Sequence, residues 1–249
     1  MIKSFTEHLY ENHDELNDLI LKLSSSFIFC CENTKTEGEY RRINGIHIED
    51  PYTFDAEFII KKESDPNFKE DEHFHKLSWE ELNFDQYGFA IDARMKIDKK
   101  DTLVPKIIVI CIIDPNREPE CYQELQYRLT DIFAHEINHL DQVGWNRKPF
   151  NTRPTSGLER QSAKRSHLYF KLQDEVESMV EGMYTRSKKQ NVAIDSVFMK
   201  YLNPFIKSKR ISVDECLEVL NIWIKYTLEN FPDSKFSNNE KIRSIINSI

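Results

Sequence analysis

The segment 106–113, KIIVICII, constrains the fold of this 249-residue chain more than any other. It is apolar almost throughout, and such a segment is typical of a strand at the centre of a sheet, buried on both faces. Three further segments, at 40–48, 54–62 and 89–97, are also predicted as strands. In 89–97 the apolar residues alternate, which predicts one buried face. We therefore expect a small sheet with 106–113 inside it and 89–97 at its edge.

Apolar residues elsewhere recur at three- and four-residue spacing, which is typical of amphipathic helices. Such helices are predicted at 3–31, 121–143, 161–190, 194–203, 212–231 and 236–248. The predicted fold class is α+β, with an N-terminal helix, a small mixed or antiparallel sheet, and then a mostly helical C-terminal half. We expect one domain over 1–249, in which 1–120 contains the sheet and 121–249 is helical and carries the metal-binding residues considered next.

The helix predicted over 121–143 carries the segment His135-Glu136-Ile137-Asn138-His139. Residues four apart lie on one face of a helix, so the two imidazoles are placed to bind a single metal ion. Glu136 lies beside that position, where its carboxylate can take a proton from water. The spacing therefore predicts a metal centre with a general base next to it.

This segment resembles the HExxH signature of the zincin metallopeptidases. The resemblance implies a bound Zn²⁺, with His135 and His139 as ligands and Glu136 as the general base. Asp141 departs from the family pattern, in which an apolar residue is usual. Gln142 and Trp145 stand where the metzincin branch has glycine and a third histidine, so that branch is excluded.

A catalytic zinc ion takes a third protein ligand. Gluzincins, the branch with a glutamate in that role, carry it on a second helix as Glu-x-x-x-Asp, and residues 168–184 look like such a helix. The pattern implies Glu177 as the third ligand and Glu181 as an acceptor for the ring N–H of a ligand histidine. Glu175 lies nearer the apolar stripe of this helix and remains an alternative ligand, as does His167.

The activity that the resemblance implies is hydrolysis of peptide bonds. Glu136 would take the proton of the attacking water and pass it to the leaving amine, while zinc and a second donor hold the oxyanion. Candidates for that donor are Tyr169, Tyr184, His167, Arg147 and Arg153. The edge strand 89–97 would hold an extended peptide or protein substrate by strand addition.

Two other functions are compatible with the same scaffold. A binding or structural protein that keeps a zincin fold would have no use for Glu136, so the presence of this carboxylate favours an enzyme. A host-directed effector peptidase would share all of these residues, and the Lys-, Asn- and Ile-rich composition is similar to that of phage-encoded HExxH proteins. His73 and His75 are spaced to bind a second metal ion, although a solvated loop is the favoured interpretation.

Composition limits the partners and the compartment. A net charge of −8 argues against binding to nucleic acid or to an anionic membrane. Five cysteines without a Cys-x-x-Cys pair are typical of free thiols in a reducing compartment. The first residues lack the apolar segment of a secretion signal, and no apolar run is long enough to span a membrane. We expect a cytoplasmic protein, or one carried in a virion or delivered to a host cell if it is phage-encoded.

Overall fold

The computed structural model describes residues 13–34, 39–49, 52–72, 74, 81–96, 105–142, 167–240, 242–243 and 247. The fold class is α+β, as predicted. The chain divides into two compact units, Met1–Thr152 (unit 1) and Arg153–Ile249 (unit 2). The helix that carries the HExxH segment belongs to unit 1, together with the sheet. The grouping of both units into one domain stays a prediction.

Unit 1 contains the sheet, and the structure confirms all four predicted strands. Its elements are α1 (His13–Asn33), β1 (Glu39–Glu49), β2 (Tyr52–Lys62), α2 (Glu81–Tyr87), β3 (Phe89–Lys96), β4 (Lys106–Ile113) and α3 (Tyr122–Gln142). A short 3-10 turn at Pro115–Arg117 separates β4 from α3. Asp114 caps this turn, because its Oδ1 accepts a hydrogen bond of 2.9 Å from the backbone N–H of Asn116.

The four strands form one mixed sheet in the order β1-β2-β4-β3. β2 and β4 are parallel, whereas β1 pairs with β2 and β3 pairs with β4 in antiparallel register. Every residue of β4 after Lys106 is buried. The predictions of an interior strand at 106–113 and of an edge strand at 89–97 are therefore both confirmed.

One face of the sheet packs against α1 and α3. Phe58 of β2 lies between Phe27 of α1 and Phe133 of α3, with ring centroids 5.0 and 6.2 Å away. Cys121, directly before α3, joins this core, as do the α3 residues Leu125, Leu129, Phe133, Ala134, Ile137 and Leu140. Burial of each large side chain contributes roughly 1.5–3 kcal/mol to folding, so this core fixes which side of α3 is turned away from water.

The opposite face of the sheet has a smaller apolar cluster, which contains Phe74, Phe84, Ile110 and Ile112. Helix α2 leads into the edge strand β3 through Gly88, whose φ of +77° is a conformation that glycine adopts without strain. A Cβ at Gly88 would lie 2.6 Å from the Cβ of Arg117, so a side chain does not fit there. This turn sets the point where the edge strand begins.

Unit 2 is helical in the part of the chain that the structure describes. A 3-10 turn at His167–Lys171 is followed by α4 (Gln173–Gln190), α5 (Ile194–Lys207) and α6 (Val213–Asn230). These helices confirm the predictions for 161–190, 194–203 and 212–231 over their described residues. Most of the helix predicted at 236–248, and residues 3–12 of the first predicted helix, lie outside the regular elements or the described residues.

An aromatic cluster forms the core of unit 2. Trp223 is completely buried, and its Nε1 donates a hydrogen bond of 2.9 Å to the backbone oxygen of Phe170. The rings of Phe170, Phe198 and Tyr201 lie 5.2–6.2 Å from that of Trp223. This hydrogen bond and these ring contacts join the 3-10 turn before α4 to α5 and α6.

Two further observations bear on the composition. All five cysteines are buried thiols that form no disulfide bond, as predicted. Among the helices of the described residues, none has the length and apolar character needed to cross a membrane.

Candidate metal centre

Helix α3 carries the HExxH residues on the part of its surface that borders the core of unit 1. His139 and Glu136 are buried, at 3% and 5% exposure, and His135 is half-buried. Phe133, Ile137 and Leu140 interleave with them in the sequence and pack into the core. The apolar residues that predicted the helix therefore also hold the motif residues where they are largely shielded from bulk water.

The two imidazoles are adjacent, as the four-residue spacing requires. Their ring centroids lie 4.5 Å apart and the ring planes are nearly perpendicular, at 89°. The Oε1 of Glu136 lies 4.0 Å from the Nε2 of His135, which is too long for a hydrogen bond. One helical turn therefore brings together a carboxylate and two imidazoles, whose nitrogens can bind a metal ion.

A neighbour on the same helix bonds to one of these imidazoles. The Nδ1 of His139 lies 2.7 Å from the Oε1 of Gln142. An amide oxygen only accepts hydrogen bonds, so this contact is a hydrogen bond when Nδ1 carries the ring proton and Nε2 has the lone pair. Sequence reasoning did not give Gln142 this role. The signal was its position three residues after His139, which places the two side chains on one helix face.

Helix α4 of unit 2 carries the three candidate glutamates, which differ in burial. Glu175 is completely buried and Glu181 is 5% exposed. Glu177 is half-buried, and its Oε1 accepts a hydrogen bond of 3.1 Å from the Nε2 of Gln173. A buried carboxylate needs a cation or hydrogen-bond donors to offset its loss of hydration. That requirement is strongest at Glu175 and weakest at Glu177.

The candidate hydrogen-bond donors to the oxyanion differ in the contacts that they make with other side chains. The hydroxyl of Tyr184 donates to the carboxylate of Asp233, at 2.8 and 3.0 Å. The Nδ1 of His167 lies 2.9 Å from Glu215. Tyr169 is at the 3-10 turn and contacts the ring of Phe170. Two other candidates, Arg147 and Arg153, lie outside the described residues, as do His73 and His75.

Tyr226 of α6 is a hydroxyl that sequence reasoning did not select. Burial, followed by the charges of Glu177 and Glu181, raises the pKa of its phenol far above the usual range. Tyr226 therefore stays protonated at neutral pH, close enough to Glu177 and Glu181 for their charges to act on its phenol. It lies in the fourth turn of α6, and the sequence around it is that of an ordinary packing residue.

The donor set fits a zinc ion. Imidazole nitrogens and a carboxylate oxygen are the ligands of catalytic zinc sites, and the hydrogen bond to Gln142 leaves the Nε2 of His139 as the coordinating atom. Cysteine is not needed in such a set, and the five cysteines are buried at other positions.

No protein-family model, curated protein or solved structure matches this chain. The resemblance to the zincins therefore depends on the HExxH residues and on the glutamate-bearing helix alone. Zinc binding and peptidase activity stay predictions, to be judged on the chemistry of these residues.

Proposed function

We propose that the protein is a zinc-dependent metallopeptidase, in which His135, His139 and a carboxylate of α4 bind the metal and Glu136 is the general base. The observation that carries this proposal is the turn of α3 on which both imidazoles and Glu136 lie together at the border of the core. A purely structural metal site has no use for a carboxylate beside its ligands. The position of Glu136 therefore favours an enzyme over a binding protein.

Glu175 is the carboxylate that we favour as the third ligand. His135, His139 and Glu175 are a set of side chains that could hold a metal ion. Within α4, Glu175 is the candidate for which a bound cation would offset the largest desolvation, because it is completely buried. Glu177, which the Glu-x-x-x-acid pattern predicts, is half-buried and bonded to Gln173. It stays the alternative that the experiments below must decide.

Each residue of the proposed site has its own role in peptide hydrolysis. A zinc ion held by these residues would supply a Lewis acid that lowers the pKa of water to about 7. Glu136 would take a proton from the water that attacks the peptide carbonyl and pass it to the leaving amine. The apolar neighbours of the motif exclude bulk water, which strengthens each charge interaction.

The edge strand β3 supports a peptide as the substrate. It is the last strand of the described sheet, and α3 contacts it. An extended peptide that added to β3 as a further strand would lie alongside the helix that carries Glu136. Recognition through the backbone of the substrate would make the cleavage depend on an extended conformation.

The test is cleavage of a peptide library by the purified full-length chain. We expect cleavage by the zinc-loaded protein, loss of cleavage after chelation, and recovery when one equivalent of zinc is returned. Cleavage that persists in excess chelator would contradict a metal-dependent mechanism. A protein that binds zinc but cleaves no peptide, unfolded protein or extended substrate would favour the non-catalytic alternative.

A further inference from the structure

Gln142 makes a contact that the proposed chemistry does not require but that bears directly on it. Its Oε1 lies 2.7 Å from the Nδ1 of His139, which is short for a hydrogen bond between neutral groups. Both residues are on the last turn of α3, at a spacing of three residues. The contact therefore joins two residues of one helix.

The hydrogen bond selects one form of the imidazole. Neutral histidine carries a single ring proton, on either Nδ1 or Nε2. In the observed orientation of the Gln142 amide, Oε1 accepts a proton only from Nδ1, and the Nε2–H form of His139 would require the amide to turn its N–H group towards the ring. The observed geometry therefore corresponds to the Nδ1–H form.

We infer that Gln142 is a positioning residue that holds His139 in the Nδ1–H tautomer and so presents its Nε2 lone pair to the metal. This inference rests on the proposed function for its consequence, since the benefit of a fixed tautomer is tighter binding of zinc. The acceptor is neutral. A carboxylate at this position would keep the bond and add a negative charge, whereas an apolar side chain of similar size would abolish the bond.

Three variants separate a positioning role from a structural one. Gln142→Leu removes the acceptor with little change in size. Gln142→Glu keeps an acceptor at the same position. Gln123→Leu makes the same chemical change at an exposed residue of the same helix and is the matched control.

Two measurements are made on each variant. Long-range ¹H–¹⁵N NMR of the metal-free protein, at about pH 8 where an ordinary histidine is neutral, identifies the tautomer of His139. Competition with a chromophoric chelator gives the dissociation constant for zinc. We expect Nδ1–H in the wild type, in Gln142→Glu and in Gln123→Leu, and a shift towards Nε2–H in Gln142→Leu. The zinc dissociation constant of Gln142→Leu should rise about 10- to 100-fold, as for other partners of ligand histidines, and Gln142→Glu should restore it.

The inference is overturned if Gln142→Leu keeps the Nδ1–H tautomer, or if it binds zinc as tightly as the wild type does. Failure of the proposed function gives a different result. A wild-type protein that binds zinc tightly but cleaves no peptide would leave the tautomer and affinity results intact. A wild type that binds no zinc would remove the metal centre and this role of Gln142 together.

Discussion

Helices α3 and α4 both bury polar groups, but they do so in different ways. On α3, His135, Glu136 and His139 occupy one turn, and their proposed roles follow from their spacing along that helix. On α4, Glu175 and Glu181 are buried and Glu177 is half-buried, so their roles depend on packing and not on spacing. The comparison shows that an arrangement of side chains confined to one helical turn can be predicted from sequence. The burial of each side chain can be determined only from the folded unit.

The largest expected effect follows from breaking the local pair on α3. His135→Ala and His139→Ala should each abolish stoichiometric zinc, because one imidazole cannot replace the chelation by two. Metal analysis of the purified variants measures this directly. Gln123→Ala, at an exposed residue of the same helix, is the control. Full zinc content in both α3 variants would remove the histidine pair from the account.

The next effect distinguishes the carboxylates of α4. Glu175→Ala should weaken zinc binding most, by about 100-fold or more, and Glu181→Ala by about 10- to 100-fold if it supports a ligand. Glu177→Ala should change the affinity least, since Glu177 is half-buried and already bonded to Gln173. Chelator competition on the three variants side by side gives the order. If Glu177→Ala is the weakest binder, the Glu-x-x-x-acid pattern identifies the ligand and the argument from burial is wrong.

A third prediction separates the scaffold of α3 from its chemistry. Leu129 is completely buried in the core of unit 1 and has no polar role. Leu129→Ala should lower the free energy of unfolding by about 2–5 kcal/mol, while the folded variant still binds one zinc. Chemical denaturation, followed by metal analysis under native conditions, measures both. Leu21→Ala, at a residue 40% exposed on α1, should cost far less. Equal costs would show that this core does not hold the helix.

The smallest effect concerns the exposed end of α4. A hydrogen bond from Lys188 and another from Tyr184 lower the pKa of Asp233. A lowered pKa stabilises the fold above the ordinary aspartate pKa of about 3.9, and that contribution is lost as the pH falls through the folded-state pKa. Because the pair is exposed, we expect less than about 1 kcal/mol. Urea unfolding of the wild type and Asp233→Asn, at neutral pH and at about pH 2.5, measures it. The same pH dependence in both proteins would exclude Asp233 as its source.

Much of the fold could be predicted from the sequence. The four strands and the places of β4 and β3 in the sheet followed from apolar runs and alternation, because each pattern reports how many faces of a strand are buried. The helix of the HExxH residues followed from its apolar spacing. Strand pairing across the sheet joins distant segments, so the parallel pairing of β2 with β4 was not specified by any local pattern.

The candidate site was predicted less completely. His135, Glu136 and His139 came from spacing, but Gln142 was missed because a glutamine at the end of a helix is usually solvated. Tyr226 was missed because its proximity to Glu177 and Glu181 arises from the packing of separate helices in unit 2. The preference between Glu175 and Glu177 likewise needed the burial of each side chain, which helical periodicity gives only roughly.

The most direct test of the central claim is the rate of peptide cleavage by zinc-loaded Glu136→Gln. This variant keeps the size of the side chain and both histidines but cannot accept the water proton. Glu124→Gln, on the same helix, is the matched control. The account predicts wild-type zinc content in both variants, cleavage reduced about 100-fold or more in Glu136→Gln alone, and wild-type cleavage in Glu124→Gln. Undiminished cleavage by zinc-loaded Glu136→Gln would contradict the account.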